Sequence, residues 1–105
     1  MTLNTDLWEL RHGDELIGRL TIFDQDMFWY SALFDPMPEY AAYRPIFEEG
    51  NIIRTQDDAD AFDAWYEKVR QLGLRLVRLR DQATADEFIL YIDGNEAEFR
   101  PYFDS

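Results

Sequence analysis

The sequence predicts an α+β fold: an antiparallel sheet of about six strands, in βββ-αα-βββ order, with two helices packed on one face. Three segments with strand-like apolar patterns come first, and three more come last. The two segments between them repeat their apolar residues at steps of three and four, which is typical of amphipathic helices. At 105 residues the chain has the length of one domain, so we expect residues 1–105 to share one core.

The first two strands are predicted at residues 7–12 and 16–23, with a turn at 13–15 between them. A two-residue loop would set Trp8 opposite a charged side chain, whereas a three-residue loop sets it opposite Leu20. Only an odd loop keeps the large apolar groups on one face. We therefore expect the three-residue loop.

The third strand, residues 28–34, is predicted to follow a turn at 24–26 and to be apolar on both faces. A strand of this kind is normally covered on both sides. One face carries Phe28, Tyr30, Ala32 and Phe34, and the other carries Trp29, Ser31 and Leu33.

Two helices are expected between the groups of strands. Pro38 suits the first turn of a short helix that Pro45 interrupts and Gly50 ends, followed by a connector at residues 51–56. The second helix, residues 57–72, ends at Gly73. Its buried stripe is predicted to be Phe62, Trp65, Val69 and Leu72.

The last three strands are predicted at residues 74–80, 87–92 and 96–100, with a polar turn at 82–86. Residues 87–92 are apolar on both faces, which favours a central position in the sheet. Asp93-Gly94 is a hairpin signal that sets Leu90 opposite Ala97 and Phe88 opposite Phe99. The final strand alternates apolar and charged residues, as an edge strand does, and Pro101 is expected to end it.

The charge of the chain narrows the classes of partner. Twenty-two acidic residues face ten basic ones, for a formal net charge of −12. Such a surface repels nucleic acids and anionic lipids, so we expect neither direct nucleic-acid binding nor membrane binding. The acidity is explained either by solubility or by a basic partner or nucleic-acid mimicry. With no cysteine, no secretory signal pattern and no long apolar run, a cytoplasmic location is expected.

Candidate site residues cluster around the third strand, because acids bracket its apolar centre. We expect no catalytic residue, metal site or cofactor, since the lone His12 has no triad pattern and the acids of residues 57–63 lack the features of a calcium loop. The side chains that remain uncovered by helices are expected to form an interface centred on Trp29, either with a partner or in a homodimer. The candidate binding residues are Asp24, Asp26, Trp29, Leu33, Asp35, Glu39 and Tyr91.

Two stretches, DQDMFWYSALFDPMPEYAAYRPIFEE and FILYIDGNEAEFR, resemble an uncharacterised family of small acidic bacterial α+β proteins. The family has no assigned activity, so the resemblance implies no catalytic residue. In general style the chain is also similar to the small acidic immunity proteins that neutralise bacterial toxins. The leading hypothesis is an acidic protein-binding module, an inhibitor or immunity-like protein that acts on a basic partner. The alternative is a small-molecule-binding protein or small enzyme with a pocket lined by tyrosines and aspartates.

Overall fold

The α+β class is confirmed by the structure, a computed structural model that describes residues 6–103. Within these residues seven strands form one antiparallel sheet in the order β5-β4-β1-β2-β3-β7-β6. The strands are β1 (Asp6–His12), β2 (Glu15–Asp26), β3 (Trp29–Pro36), β4 (Leu74–Arg78), β5 (Ala83–Ala85), β6 (Glu87–Asp93) and β7 (Glu96–Tyr102). A 3₁₀ segment (Pro38–Ala42) and two helices, α1 (Arg44–Ile53) and α2 (Ala59–Gln71), connect β3 to β4.

The sheet is curled around a core. Trp8 of β1 and Phe99 of β7 have ring centroids 5.1 Å apart, although β2 and β3 lie between their strands. In a flat sheet the two backbones would be roughly 14 Å apart. Both rings are fully buried, so the core occupies the concave face.

The predicted pairing of Trp8 with Leu20 is confirmed, but its cause differs from the prediction. The turn has only two residues, because His12 pairs with Glu15. The residue that a longer loop would have added lies instead in a β-bulge. The register shifts after Leu10, and the extra residue, Ile17, is fully buried. A three-residue loop and a two-residue turn with a bulge put the same apolar residues opposite each other, because each adds one residue between the paired positions.

The turn predicted at residues 24–26 is wrong, because these residues belong to β2 and pair with the first residues of β3. The chain turns instead at Met27 and Phe28, where Met27 has a left-handed φ of 58°. Phe28 therefore lies in an exposed turn rather than in the strand. A bulge at Phe23 lets β2 continue to Asp26.

The helices differ from the prediction mainly around α1. Pro45 lies in the first turn of this helix rather than interrupting it. Gly50 does not end the helix, because α1 continues to Ile53 through half of the predicted connector. The second helix is close to the prediction. The carboxylate of Asp58 caps its N-terminus, and Gly73 follows it with a φ of +73°.

The C-terminal strands are rearranged relative to the prediction. β5 lies inside the predicted polar turn, β6 is at the edge of the sheet rather than central, and β7 lies between β3 and β6 rather than at the edge. The hairpin turn is Gly94-Asn95, so Leu90 pairs with Phe99 rather than with Ala97. β7 also continues past Pro101 to Tyr102. The apolar character of β6 is explained by α1, which packs along it and whose Asn51 Nδ2 donates to Ile92 O at 2.7 Å.

The helical segments contact side chains from both faces of the sheet, which corrects the prediction of two helices on one face. Tyr40 packs on Phe34 of the core face, with ring centroids 4.9 Å apart. Trp65 of α2 stacks on Tyr91, which points from the opposite face, with centroids 5.5 Å apart. The predicted burial of Trp65 is confirmed, because only 1% of its surface is exposed.

Candidate binding groove

The sheet face opposite the core carries the candidate site. Ser31 of β3, Glu98 of β7 and Tyr91 of β6 are paired in register, so their side chains form one row on this face. Trp29 precedes Ser31 by two residues and shares its face. The face is partly covered, because Tyr91 is 9% exposed and Trp29 is half-buried.

Four of the predicted residues come together in an open groove of about 500 Å³. We call this depression the groove, and it is lined by Asp24, Asp26, Trp29, Ser31, Arg54, Tyr91 and Glu98. A smaller depression of about 150 Å³ shares four of these residues and adds Phe23, Asp93, Glu96 and Ala97. The two depressions form one surface with five carboxylates and a single guanidinium.

Aromatic stacking fixes the wall of the groove. Tyr91 is nearly parallel to Trp65, with an interplanar angle of 6°, and nearly parallel to Trp29, with an angle of 13° and centroids 6.2 Å apart. Trp65 is held in turn, because its Nε1 donates to Ile46 O at 2.8 Å. The wall is therefore built from β3, β6 and α2 rather than from a loop.

Arg54 provides the positive charge of the groove. Its guanidinium carbon lies 4.1 Å from the centroid of the Tyr91 ring, and its Nη1 lies 3.4 Å from Glu98 Oε1. A guanidinium over an aromatic ring and beside a carboxylate is a cation–π pair with an ion pair added. Arg54, the residue that follows α1, thereby reaches across to the sheet.

Burial raises the pKa of the Tyr91 phenol, the charge of Arg54 opposes this shift, and the charge of Glu98 adds to it. The phenol is consequently neutral at neutral pH. Tyr91 can form an aromatic contact or donate a hydrogen bond, but it is not poised to accept a proton.

The other three predicted residues do not line the groove. Leu33 follows Ser31 on the same face, between Thr21 and Glu96, and is 49% exposed. Asp35 is exposed farther along β3. Glu39 is exposed in the 3₁₀ segment. Leu33 and Asp35 extend the groove-bearing face, whereas Glu39 belongs to a different element.

Three residues of the groove were not predicted. The sequence predicts Ser31 on this strand face and Glu98 at an outward position. The predicted register of the last hairpin sets Glu98 opposite Ile89, whereas Glu98 pairs with Tyr91. No sequence pattern indicates Arg54 as a groove residue, because it follows α1 and the sequence predicts that this helix ends at Gly50. A correct hairpin register would have identified Glu98, whereas Arg54 depends on tertiary packing.

A second cleft, of about 340 Å³, lies between α1 and the β6–β7 turn. Two of its polar side chains already have internal partners. Arg44 lies 5.7 Å from the centroid of the Tyr40 ring, and Asn51 is bonded to Ile92. Burial raises the pKa of Tyr40 to about 12. This cleft matches the Tyr/Asp lining of the alternative hypothesis, since Asp93 also lies in it.

Within residues 6–103, no helix is long and apolar enough to cross a membrane, and no three histidine, aspartate or glutamate side chains are grouped as metal ligands would be. Comparisons of the chain with family models, with curated proteins and with solved structures find no match.

Proposed function

We propose that this chain is a binding module that engages a basic protein partner through the groove, in the manner of an acidic inhibitor or immunity-like protein. The observation that carries the proposal is the placement of Asp24, Asp26 and Glu98 around the aromatic wall of Trp29 and Tyr91. Protein interfaces combine an aromatic or apolar centre with a charged rim, and aromatic residues dominate their energetics.

The surface next to the groove supports a protein partner over a small ligand. Phe23 is 59% exposed and Leu33 is 49% exposed, and both lie on the groove-bearing face. Together they extend the apolar area beyond the depression itself. Large apolar side chains left in water beside a half-buried tryptophan are typical of a contact surface.

Charge favours a basic partner over a second copy of the chain. Each copy carries a formal net charge of −12, and a two-fold interface across this face would bring the same carboxylates together. Salt at 0.15 M screens charges only beyond ~8 Å, so contacts within the interface keep their repulsion. A basic surface would turn that repulsion into attraction and faster association.

The small-molecule alternative is favoured by one observation, the cleft beside Tyr40. We rank it second because Arg44 and Asn51 are already paired within the chain. A ligand there would have to replace the hydrogen bond from Asn51 to Ile92 O, a backbone carbonyl of the edge strand β6.

Affinity capture from the native host, followed by reconstitution, tests the proposal. The bait is the full chain as wild type, as the groove variant Asp24→Asn/Asp26→Asn, and as the matched variant Asp60→Asn/Asp63→Asn. The matched variant removes the same two charges from exposed positions on α2. We expect a basic protein at 0.15 M salt that the groove variant loses and the matched variant retains. The captured protein is then purified and titrated calorimetrically against all three forms.

The result that contradicts the proposal is equally specific. A partner that is not basic, or one that binds the groove variant as tightly as the wild type, would rule out this surface. Native mass spectrometry of the freshly purified chain covers the alternative. A bound metabolite that Asn51→Ala releases and Asp24→Asn/Asp26→Asn retains would favour the second cleft.

A further inference from the structure

We infer that the groove accepts an arginine side chain of the partner, with the guanidinium stacked on Trp29 and bonded to Asp24 and Asp26. The inference rests on the proposed function and specifies the chemistry of its partner. It begins from the chain's own Arg54, which lines the same groove. There a guanidinium already lies 4.1 Å from the Tyr91 ring centroid and 3.4 Å from a Glu98 oxygen.

Around Trp29 the groove again combines an aromatic ring with carboxylates, but no cation lies there among the described residues. Trp29 lines the groove beside two carboxylates, as Tyr91 lines it beside Glu98. Among the described residues 6–103, the arginines that lie over aromatic rings cover other rings, and no arginine or lysine lies over the Trp29 ring. An indole is the strongest of the aromatic rings in attracting a cation, because its face carries the most negative potential.

The two aspartates are placed to hold a planar, forked donor. Asp24 and Asp26 are separated by one residue on β2, so their side chains leave the same face about 7 Å apart along the strand. Both are exposed, and neither belongs to an ion pair among residues 6–103. A guanidinium has five N–H donors in one plane and can bond carboxylates while it stacks on a ring, whereas an ammonium offers a point charge.

The aromatic wall of the groove is rigid enough to select a side chain. Trp29 stacks on Tyr91, and Tyr91 stacks on the buried Trp65, so the recognition ring is supported by two further rings. A preformed aromatic surface loses little conformational freedom when a side chain binds to it. The groove's volume of about 500 Å³ is open space beside Arg54, which lines it, so there is room for a second side chain.

Three matched peptides test the inference on the full wild-type chain. Each is an uncharged-ended glycine peptide with two variable positions, filled by arginine, lysine or citrulline. Citrulline keeps the planar shape of arginine but removes its charge. Titrations are followed by amide NMR shifts at 0.15 M salt. We expect the arginine peptide to bind about tenfold more tightly than the citrulline peptide and severalfold more tightly than the lysine peptide.

Variants locate the binding. Asp24→Asn/Asp26→Asn should weaken the arginine peptide about tenfold, and Trp29→Leu should abolish its advantage over lysine. Asp60→Asn/Asp63→Asn should change the affinity less than twofold, because it alters only the net charge. Equal binding of the arginine and citrulline peptides would overturn the inference, as would equal losses in the two aspartate variants. Lysine bound as tightly as arginine would overturn the guanidinium assignment.

These outcomes are separate from those of the proposed function. If a basic partner requires the groove but the peptides do not discriminate, only the arginine inference fails. If the arginine peptide binds as expected and no basic protein requires the groove, the proposed function fails while the guanidinium site stands.

Discussion

Gly50 of α1 lies directly against the indole of Trp65 in α2. A Cβ built on Gly50 would lie 2.7 Å from Trp65 Cε2 and closer still to Cζ2. The indole cannot easily move, because its Nε1 is bonded to Ile46 O and its ring is stacked on Tyr91. A glycine in the middle of α1 therefore lets the two helices approach, and the same contact holds the wall of the groove.

Gly50→Ala should destabilise the protein even though alanine is the better helix former. Alanine gains about 1 kcal/mol of helix propensity over glycine, whereas forcing extra volume into a packed site costs about 1–3 kcal/mol. We expect a net loss of up to about 2 kcal/mol in the free energy of unfolding, measured by urea denaturation. A double-mutant cycle with Trp65→Leu checks the cause. In that background the same change should be neutral or stabilising, and an unchanged penalty would show that Trp65 is not responsible.

This contact also shows why the sequence alone does not reveal the role of Gly50. A glycine after an apolar helical segment usually marks the end of a helix, and nothing local distinguishes that role from close helix packing. The distinction depends on Trp65, which is fifteen residues away. By contrast, the start of α2 and the pairing of Trp8 with Leu20 follow from residues close together in sequence, and both could be predicted.

The same argument explains which part of the groove could be predicted. Trp29, Asp24 and Asp26 are close in sequence, and the sequence identifies the two acids because they precede the apolar strand. Their shared face follows from the pairing of Asp26 with Trp29 across the turn at Met27 and Phe28. Tyr91 was chosen from its apolar surroundings, but its neighbours Glu98 and Arg54 depend on a hairpin register and on the position of α1. A turn at Gly94-Asn95 rather than Asp93-Gly94 shifts the pairing by two residues, which preserves the faces while changing every partner.

The N-cap of α2 provides a test of local energetics. Asp58 accepts hydrogen bonds from the backbone N–H groups of Asp60 and Ala61, both at 3.1 Å. Asp58→Ala should lower the free energy of unfolding by about 1 kcal/mol, and Asp58→Asn should restore most of it because an amide oxygen also caps. Asp60→Asn/Asp63→Asn should have the smaller effect, because only Asp60 lies in the first turn of α2 and one exposed charge there contributes about 0.3–1 kcal/mol. Thermal denaturation in which the double variant loses more than Asp58→Ala would contradict this assignment.

Stability should fall at alkaline pH partly because of Tyr40. Burial raises the pKa of this phenol from 10.0 to about 12, and the side chain is 4% exposed. A group whose pKa is raised by folding contributes its full stabilisation below the unfolded pKa and loses it as pH rises through the folded one. The free energy of unfolding should therefore decline between pH 10 and pH 12, with up to ~3 kcal/mol lost above that window.

Urea denaturation at several pH values across that window measures this contribution. Tyr40→Phe should flatten the decline, because phenylalanine cannot ionise. The matched change Tyr102→Phe, at an exposed residue, should leave the slope as in the wild type. Parallel slopes for wild type and Tyr40→Phe would mean that Tyr40 ionises without a cost to folding.

The oligomeric state decides between the two kinds of interface that the sequence suggested around Trp29. If the groove serves a basic partner, the purified chain should sediment as a monomer at micromolar concentration and 0.15 M salt.

Trp29→Glu should leave that state unchanged while it abolishes the partner complex, because it removes the ring and adds a sixth carboxylate to five. Trp29 is only half-buried, so the variant should stay folded, as circular dichroism can verify. Ile52→Glu is the matched control, since it adds the same charge at an exposed apolar position of α1 that does not line the groove. A wild-type dimer that Trp29→Glu converts to a monomer and Ile52→Glu does not would instead assign this face to a second copy of the chain. In that event the apolar contact would outweigh a repulsion between two charges of −12, and the proposal of a basic partner for the groove would be withdrawn.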